Sequence, residues 1–381
     1  MCALLAAAAL GQPAGAQPSH ALVLGYYVPY DPTSWASLEA HADQLDVVAA
    51  QWASIDACGG ISAREDQTLK QFAHDHGIQV VPSLFTISAW LNHQLLADDD
   101  TRANALANIV SYTVEEGYDG FDLDLEGIDP ADRAAYSDFV SALAAALHDQ
   151  GKLLTLAVPA KERDATSGWA GAFDYAALGA QADLVTVMAY EYSGPFSGPG
   201  SVAPFDWVSR VTAFAAQKIP PERLLLGLAF YGYDWNATSG GAVSLGYPRA
   251  LALATYFQVQ PSLDGTQQSL TFGYTADAGD RGPRLAGSAV SAGPRHTITA
   301  RGAAACDLVA PAAPTPTPAP PVAPNRPQVH EVWVEDASSV GARLGLAFNY
   351  RVRGVAAWRL GLEDPAVWSV VAEWRTADQG A

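Results

Sequence analysis

Asp122, Asp124 and Glu126 stand at every second position of the run Asp119-Gly-Phe-Asp-Leu-Asp-Leu-Glu126. In an extended chain alternate side chains share a face, so the three acids point one way and Phe121, Leu123 and Leu125 point the other. The apolar face can pack beneath helices. The acidic face spaces its carboxyl groups at roughly 7 Å per residue pair, and three such groups held out of bulk water do not all ionise. A column of this kind shares protons, which raises at least one pKa toward neutrality and supplies a general acid. Two plainer readings fail. A calcium loop opening at Asp122 needs a bidentate Glu at its twelfth position, where Arg133 stands. A solvated acidic edge does not interleave with large apolar residues and sit between flanks that read as buried. An acidic column at the C-terminal end of a strand is instead where barrel enzymes hold their chemistry.

The elements that must position these acids follow from periodicity. Strand patterns cover Ala21 to Val28, Leu45 to Trp52, Ile78 to Leu84, Gly120 to Leu125, Leu153 to Val158, Leu184 to Tyr190, Leu224 to Tyr231 and Gly354 to Trp358. Helical periodicity covers Ala63 to His76, Asp98 to Glu116, Pro130 to Gln150, Pro204 to Ala216 and Asp336 to Tyr350, with Asp98 and Asp336 suited to be N-caps. Eight strands alternating with helices predict an α/β fold, a closed (β/α)8 TIM barrel. The interval from Ala237 to Glu335 is too long for one crossover, so an α+β insertion is expected between strands 7 and 8. Within it Tyr247 to Phe257 suits a helix, and Ser269 to Tyr274 suits a strand with His330 to Val334 as its partner. The proline-rich run Ala310 to Pro327 reads as an extended, mobile excursion.

The 381 residues, 49% of them hydrophobic, suffice for a large core, and nothing after the N-terminus is long and apolar enough to span a membrane. Forty acidic residues against 21 basic give a net charge of −19, which repels nucleic acid and anionic surfaces and suits a neutral substrate. Ala3 to Leu10 followed by Pro13-Ala-Gly-Ala16 reads as the apolar region and cleavage site of a secretory signal, though without a basic leading segment. Residues 1–16 are thus expected to be removed and 17–381 to form the catalytic unit, secreted or associated with the cell wall. That leaves Cys58 and Cys306, free to bridge after export or to remain two unrelated thiols.

Further chemistry lies at other strand ends. Met188-Ala-Tyr190-Glu191 brings a phenol and a carboxylate to the mouth of the acidic strand, and Trp358 ends the eighth strand where an indole could stack on a sugar face. Tyr26, Tyr27, Tyr231 and Tyr233 are aromatics at strand ends, each ambiguous singly. With these in place the chain resembles glycoside hydrolase family 18, whose D-x-x-D-x-D-x-E signature is met by Asp119, Asp122, Asp124 and Glu126. The resemblance runs from Ala21 to Trp368. The segments Ile219-Pro-Pro-Glu-Arg-Leu-Leu-Leu-Gly227, Tyr231-Gly-Tyr-Asp-Trp235 and Trp358-Arg-Leu-Gly-Leu-Glu-Asp364 look like the branch of spore-germination and cortex-lytic N-acetylglucosaminidases.

What the resemblance implies is retaining hydrolysis without an enzymatic nucleophile, an exception to the two-carboxylate scheme. Glu126 would protonate the glycosidic oxygen while the 2-acetamido carbonyl of the sugar attacks the anomeric carbon. Asp124 would orient the acetamido group, Asp122 would trade a proton with Asp124, and Tyr190 would bond the acetamido oxygen. Trp358, Tyr27, Met188, Glu191 and Tyr231 are expected to line the sugar site, and Asp119 to shape the start of the strand. The family usually has Asp where Glu191 stands, which implies a sugar contact displaced by one methylene or lost. Peptidoglycan or chitin is the expected substrate, acted on by a monomer without metal or other cofactor. A lectin-like binder that does not cleave is the alternative, and the intact Glu126 argues against it. A metal-dependent hydrolase would need clustered ligands that the eight His residues do not supply.

Overall fold

The structure, a computed structural model, describes residues 21–277, 279–280, 282–283, 296–301, 306, 308 and 326–378. Eight parallel strands close into a barrel: β1 (Leu22–Tyr27), β2 (Val47–Ile55), β4 (Gln79–Thr86), β5 (Gly120–Leu125), β6 (Leu153–Pro159), β7 (Leu184–Met188), β8 (Leu224–Ala229) and β15 (Gly354–Trp358). They pair in the order β1-β15-β8-β7-β6-β5-β4-β2, and β2 returns to β1. Around them lie α1 (Pro32–Ala40), α2 (Gln67–Asp75), α3 (Ala89–Ala97), α4 (Asp99–Glu115), α5 (Arg133–His148), α6 (Tyr175–Gln181), α7 (Phe205–Lys218), α9 (Ala337–Asn349) and α10 (Val367–Asp378). The (β/α)8 barrel is the expected one. Strands buried on both faces give two apolar layers. Leu22, Leu24, Tyr26, Val47, Ala49, Val81, Leu184, Leu225 and Ala356 fill the barrel interior. Val23, Tyr27, Val48, Val80, Phe121, Leu123 and Leu125 pack outward against the helices. The Asp98 and Asp336 side chains do cap their helices, accepting from Thr101 N and Ser339 N, each at 2.8 Å.

The helical reading of Ala63 to His76 is corrected in its first part, because Ile61–Asp66 is a strand, β3. Ile61, Ala63 and Glu65 are buried while Ser62 and Arg64 are exposed, a period of two rather than 3.6. Strand β2 overshoots the barrel to Ile55 and offers β3 an antiparallel partner, Ile55 against Ile61. The helix α2 begins only at Gln67, capped by Asp66, which accepts from Thr68 N and Leu69 N.

Three acids at the N-terminal rim repeat one device. Asp46 accepts from Val23 N at 2.8 Å, Asp119 from Val80 N at 2.7 Å and Asp183 from Leu154 N at 2.8 Å, so each holds the amide of the second residue of the neighbouring strand. Each also meets a cationic or hydrogen-bonding helix side chain: Arg375 at 3.1 Å, His74 at 2.9 Å and His148 at 2.9 Å. Asp119, the first acid of the signature, thus ties β5 to β4 at the end of the barrel away from the acidic column. Asp119→Asn is expected to lower stability by about 1–3 kcal/mol, the worth of charge-assisted bonds at a half-buried site, while leaving kcat/KM within about twofold. Urea unfolding beside a turnover assay checks this, and a large loss of turnover in a folded variant would contradict it.

The insertion between the seventh and eighth barrel strands is entered at Tyr231, before the expected Ala237, because β9 (Tyr231–Asn236) turns straight out of the barrel after β8. Strands β10 (Ala242–Gly246), β11 (Ser262–Asp264), β12 (Ser269–Ala276) and β14 (Gln328–Val334) complete an antiparallel sheet ordered β10-β9-β14-β12-β11, backed by α8 (Tyr247–Tyr256). Arg343 of α9 fastens this sheet to the barrel. Its guanidinium pairs with buried Glu335 at 3.3 Å, and Glu335 in turn accepts from Ser201 at 3.0 Å and Ser269 at 2.7 Å. One further strand, β13 (His296–Arg301), runs antiparallel to β3, and Cys306 is disulfide-bonded to Cys58 at the tip of the β2–β3 hairpin. The bridged alternative is therefore the one realised. Residues 1–16 and the proline-rich 310–327, apart from its last two positions, lie outside the described residues.

Candidate active site

Strand β5 sends Asp122 and Asp124 into the barrel and delivers Glu126 to its C-terminal mouth. Asp122 is fully buried and accepts from Thr155 Oγ1 at 2.5 Å. Burial raises its pKa to about 6, with the Thr155 and Ser83 hydroxyls pulling the other way. Asp124, 4% exposed, is pushed well above the carboxylate range by burial first, then by the charges of Glu126 and Asp122. Among the described residues Asp122 Oδ2 and Asp124 Oδ1 have no hydrogen-bond partner. Two buried acids with open oxygens cannot both carry charge, so this pair holds at least one proton at neutral pH.

Glu126 sits where β5 gives way to a turn. Its amide donates to Thr86 O at 2.7 Å, and its carbonyl accepts from Nδ2 of fully buried Asn92 at 2.6 Å. Gly127 follows at φ +66°, and a Cβ there would stand 2.8 Å from Ile87 O, so only glycine permits this turn. Burial, then the charge of Glu191, raises the Glu126 pKa to about 7. Glu126 therefore keeps its proton close to neutrality and remains near enough to solvent to deliver it.

Tyr190 and Glu191 close the site from the far wall. Tyr190 is 9% exposed, and its hydroxyl is raised by burial and then by Asp124, Glu126, Glu191 and Asp122. A phenol facing four acids stays neutral and serves as a donor. Its ring stands T-shaped to Tyr231, with centroids 6.1 Å apart. Gly227 on β8 leaves the room it needs, since a Cβ there would lie 3.0 Å from Tyr190 Cε1 and 2.5 Å from Val187 O. Glu191 adopts left-handed backbone, φ 63°, which for a non-glycine residue stores strain. Its Oε1 is engaged by two phenols of β9, Tyr231 at 2.5 Å and Tyr233 at 2.7 Å. Trp358, half-buried at the end of β15, meets Tyr26 edge-on at 5.4 Å and floors the mouth.

Such an arrangement offers a protonated acid at the rim, a sealed acidic pair beneath it and an indole floor beside it. The profile of glycosyl hydrolases family 18 matches residues 22–363. The chain belongs to glycosyl hydrolases family 18. It is accordingly a glycoside hydrolase. Among curated family 18 relatives, the uncharacterized glycosylase YvbX of Bacillus subtilis is 24% identical over 291 residues, which cover 76% of this chain and 71% of that one. The cortical fragment-lytic enzyme of Bacillus subtilis is 27% identical over 288 residues, 74% of this chain but 56% of the relative, so the chain spans little more than half of that enzyme. A chitinase structure from Chromobacterium violaceum superposes with TM-score 0.74 at 26% identity, covering 93% of this chain and 98% of the other. The spore cortex-lytic enzyme SleL of Bacillus megaterium gives TM-score 0.73 at 24% identity over 93% of this chain and 74% of the other, a likeness of fold.

The family 18 barrel brings together Asp122, Asp124, Glu126, Met188, Tyr190, Glu191, Tyr231 and Trp358, all on strands or turns at its mouth or interior. Tyr27 is a correction. It is the odd-parity neighbour of Tyr26 and points out toward the helices, 1% exposed, with its hydroxyl donating to Asp66 at 3.4 Å and its ring against Trp52. Tyr26 is the inward residue, raised by burial and then by Asp122, Asp124 and Tyr190. The inward parity of Leu22 and Leu24 was the signal that could have chosen between them. Gln51, whose amide is directed at Asp124, and Tyr233 were also not singled out as site residues. Among the described residues one grouping of His, Cys and carboxylate ligand atoms is tight enough for a metal, Asp56 with Cys58 and Cys306, and its two sulfurs form the disulfide.

Proposed function

We propose that this family 18 enzyme is exported and cleaves β-linked glycans containing N-acetylglucosamine by substrate-assisted retaining hydrolysis. The observation that carries the reading is the sealing of Asp122 and Asp124 below the mouth, at 0% and 4% exposure, which leaves neither free to attack a sugar as an ionised nucleophile. Glu191, its Oε1 engaged by two phenols, is equally unsuited to attack. The nucleophile must then come with the substrate. Glu126 gives its proton to the glycosidic oxygen as the C1–O bond breaks, and the acetamido oxygen forms the new bond to C1. Asp124, sharing a proton with Asp122, accepts from the acetamido N–H and offsets the positive charge that develops there. Tyr190 donates to the acetamido oxygen, and Trp358 carries the pyranose face. Water then opens the oxazolinium ring while Glu126 takes its proton back. The Cys58–Cys306 disulfide supports an oxidising, extracellular setting.

The mechanism requires the 2-acetamido group on the sugar at the non-reducing side of the cut. Partly deacetylated chitooligosaccharides are expected to be cut only after N-acetylglucosamine, with rates after glucosamine lower by at least about 10²-fold, as for loss of a positioned nucleophile. Product sequencing by mass spectrometry reads the result. Equal cleavage after both sugars would overturn the mechanism.

A further inference from the structure

Beside the acidic column lies a cavity of about 340 Å³, within the size range of small-ligand sites, with Tyr30, Gln51, Trp52, Arg64 and Phe85 in its lining. It is continuous with the catalytic strand, because Phe85 on β4 is the register partner of Asp124 and Gln51 is directed at Asp124. Two of its aromatics stand open to solvent, Tyr30 at 72% and Phe85 at 40%. Its cation is Arg64, on the exposed face of β3, and among the described residues no carboxylate forms an ion pair with it. In a chain of net charge −19, with 40 acids to draw on, a guanidinium that faces a cavity next to three acids and has no carboxylate paired to it among the described residues is a specific choice. Guanidinium groups bind carboxylates in a planar, two-point fashion. A polyanion would be repelled by the acid column, whereas a single carboxylate at the far side of one sugar would not.

We infer that Arg64 selects glycans in which a sugar next to the cleaved bond bears a carboxylate substituent, as the 3-O-lactyl sugar of peptidoglycan does and the sugars of chitin do not. This rests on the N-acetylhexosaminidase reading above and names its substrate class. The carboxylate can be that of the lactyl arm itself or of an amino acid linked to it, and the two sources are separable by substrate.

The test compares wild type, Arg64→Met and Arg64→Lys on four glycans of equal length: a chitooligosaccharide, a muramyl glycan with free lactyl groups, the same glycan with alanine amide-linked to the lactyl groups, and its carboxylate methyl ester. Arg64→Met is expected to lower kcat/KM about tenfold or more on a carboxylate-bearing glycan, through KM, with Arg64→Lys restoring part of it. The chitooligosaccharide and the ester are expected to change less than about twofold. A fall confined to the free lactyl glycan identifies the lactyl carboxylate, and one confined to the alanyl glycan identifies the amino-acid carboxylate. Equal effects on all four glycans, or none on any, overturn the inference while leaving the hydrolase reading intact. Titration calorimetry of the muramyl glycan onto Glu126→Gln with and without Arg64→Met reads the same contact without turnover. If wild type cleaves none of the four, the hydrolase reading fails, and calorimetry still decides Arg64.

Discussion

Glu126→Gln is expected to reduce hydrolysis by on the order of 10²- to 10⁴-fold or more while retaining glycan binding, because it removes the transferable proton at nearly constant volume. Wild-type turnover in the variant would rule out Glu126 as the acid. With the Glu126 pKa at about 7, wild-type kcat/KM should decline as pH rises through 7, when the acid loses its proton. The same raised pKa makes a prediction about stability. The folded state holds the Glu126 proton more tightly than the unfolded chain, whose ordinary value is 4.5, so its contribution is complete below about that pH and is lost as pH climbs through 7. Glutamine has no proton to lose. Glu126→Gln should therefore melt higher than wild type at pH 8, and the gap should close toward pH 4. A variant less stable than wild type at pH 8 would mean that the ionised Glu126 is better accommodated than its burial and the nearby Glu191 imply.

Gly227→Ala is the second large expectation. The new methyl would stand 2.5 Å from Val187 O, 3.0 Å from Tyr190 Cε1 and 3.2 Å from Met188 Cα, and two of those atoms are backbone. The 2.5 Å contact with Val187 O obliges β7 and β8 to move apart locally, and the Tyr190 ring, itself crowded at 3.0 Å, is displaced from the acids it faces. Overpacking of this kind costs about 1–3 kcal/mol, and a displacement near 1 Å of a group that positions the substrate costs about 10²-fold in rate. Chemical denaturation should show the first, and a fall in kcat larger than the change in KM should show the second. Unchanged kcat in a folded Gly227→Ala protein would remove Tyr190 from the proposed mechanism.

The barrel was legible because its strands carry their parity in the open. Strands β5 and β15 occupy the residues that the pattern marked, since Gly120 to Leu125 and Gly354 to Trp358 leave no ambiguity about where extended chain begins. Legibility failed where a residue's job is set by a partner distant in sequence. Ile61–Asp66 alternates only weakly and was absorbed into a neighbouring helical pattern, because the overshoot of β2 that pairs with it does not register in a local window. Tyr26 and Tyr27 are equally large, and the satisfied hydroxyl that marks Tyr27 as outward comes from Asp66, 39 residues on. Glu191 was visible as a departure from the family's Asp. Its two phenol partners, 40 and 42 residues downstream on a strand of the insertion, were not. The helices α1, α3, α6 and α10 went unmarked; α1 and α3 spread their apolar residues around the axis and leave no one-sided stripe to read.

The bond between Cys58 and Cys306 has a sequence separation of 248, and it closes a ring that contains β3 through β12 together with β13. A protease that cuts any one peptide bond inside this ring leaves a single covalent molecule, with both new ends still tethered to the barrel. A cut between Cys306 and Gln328 divides the chain into two separate pieces, the shorter holding β14 and β15. Those two strands are each flanked on both sides, β14 by β9 and β12 and β15 by β1 and β8, so the pieces remain laced together without a covalent link. A chain built this way is expected to hold its fragments in register after a single cut inside the ring or between Cys306 and β14.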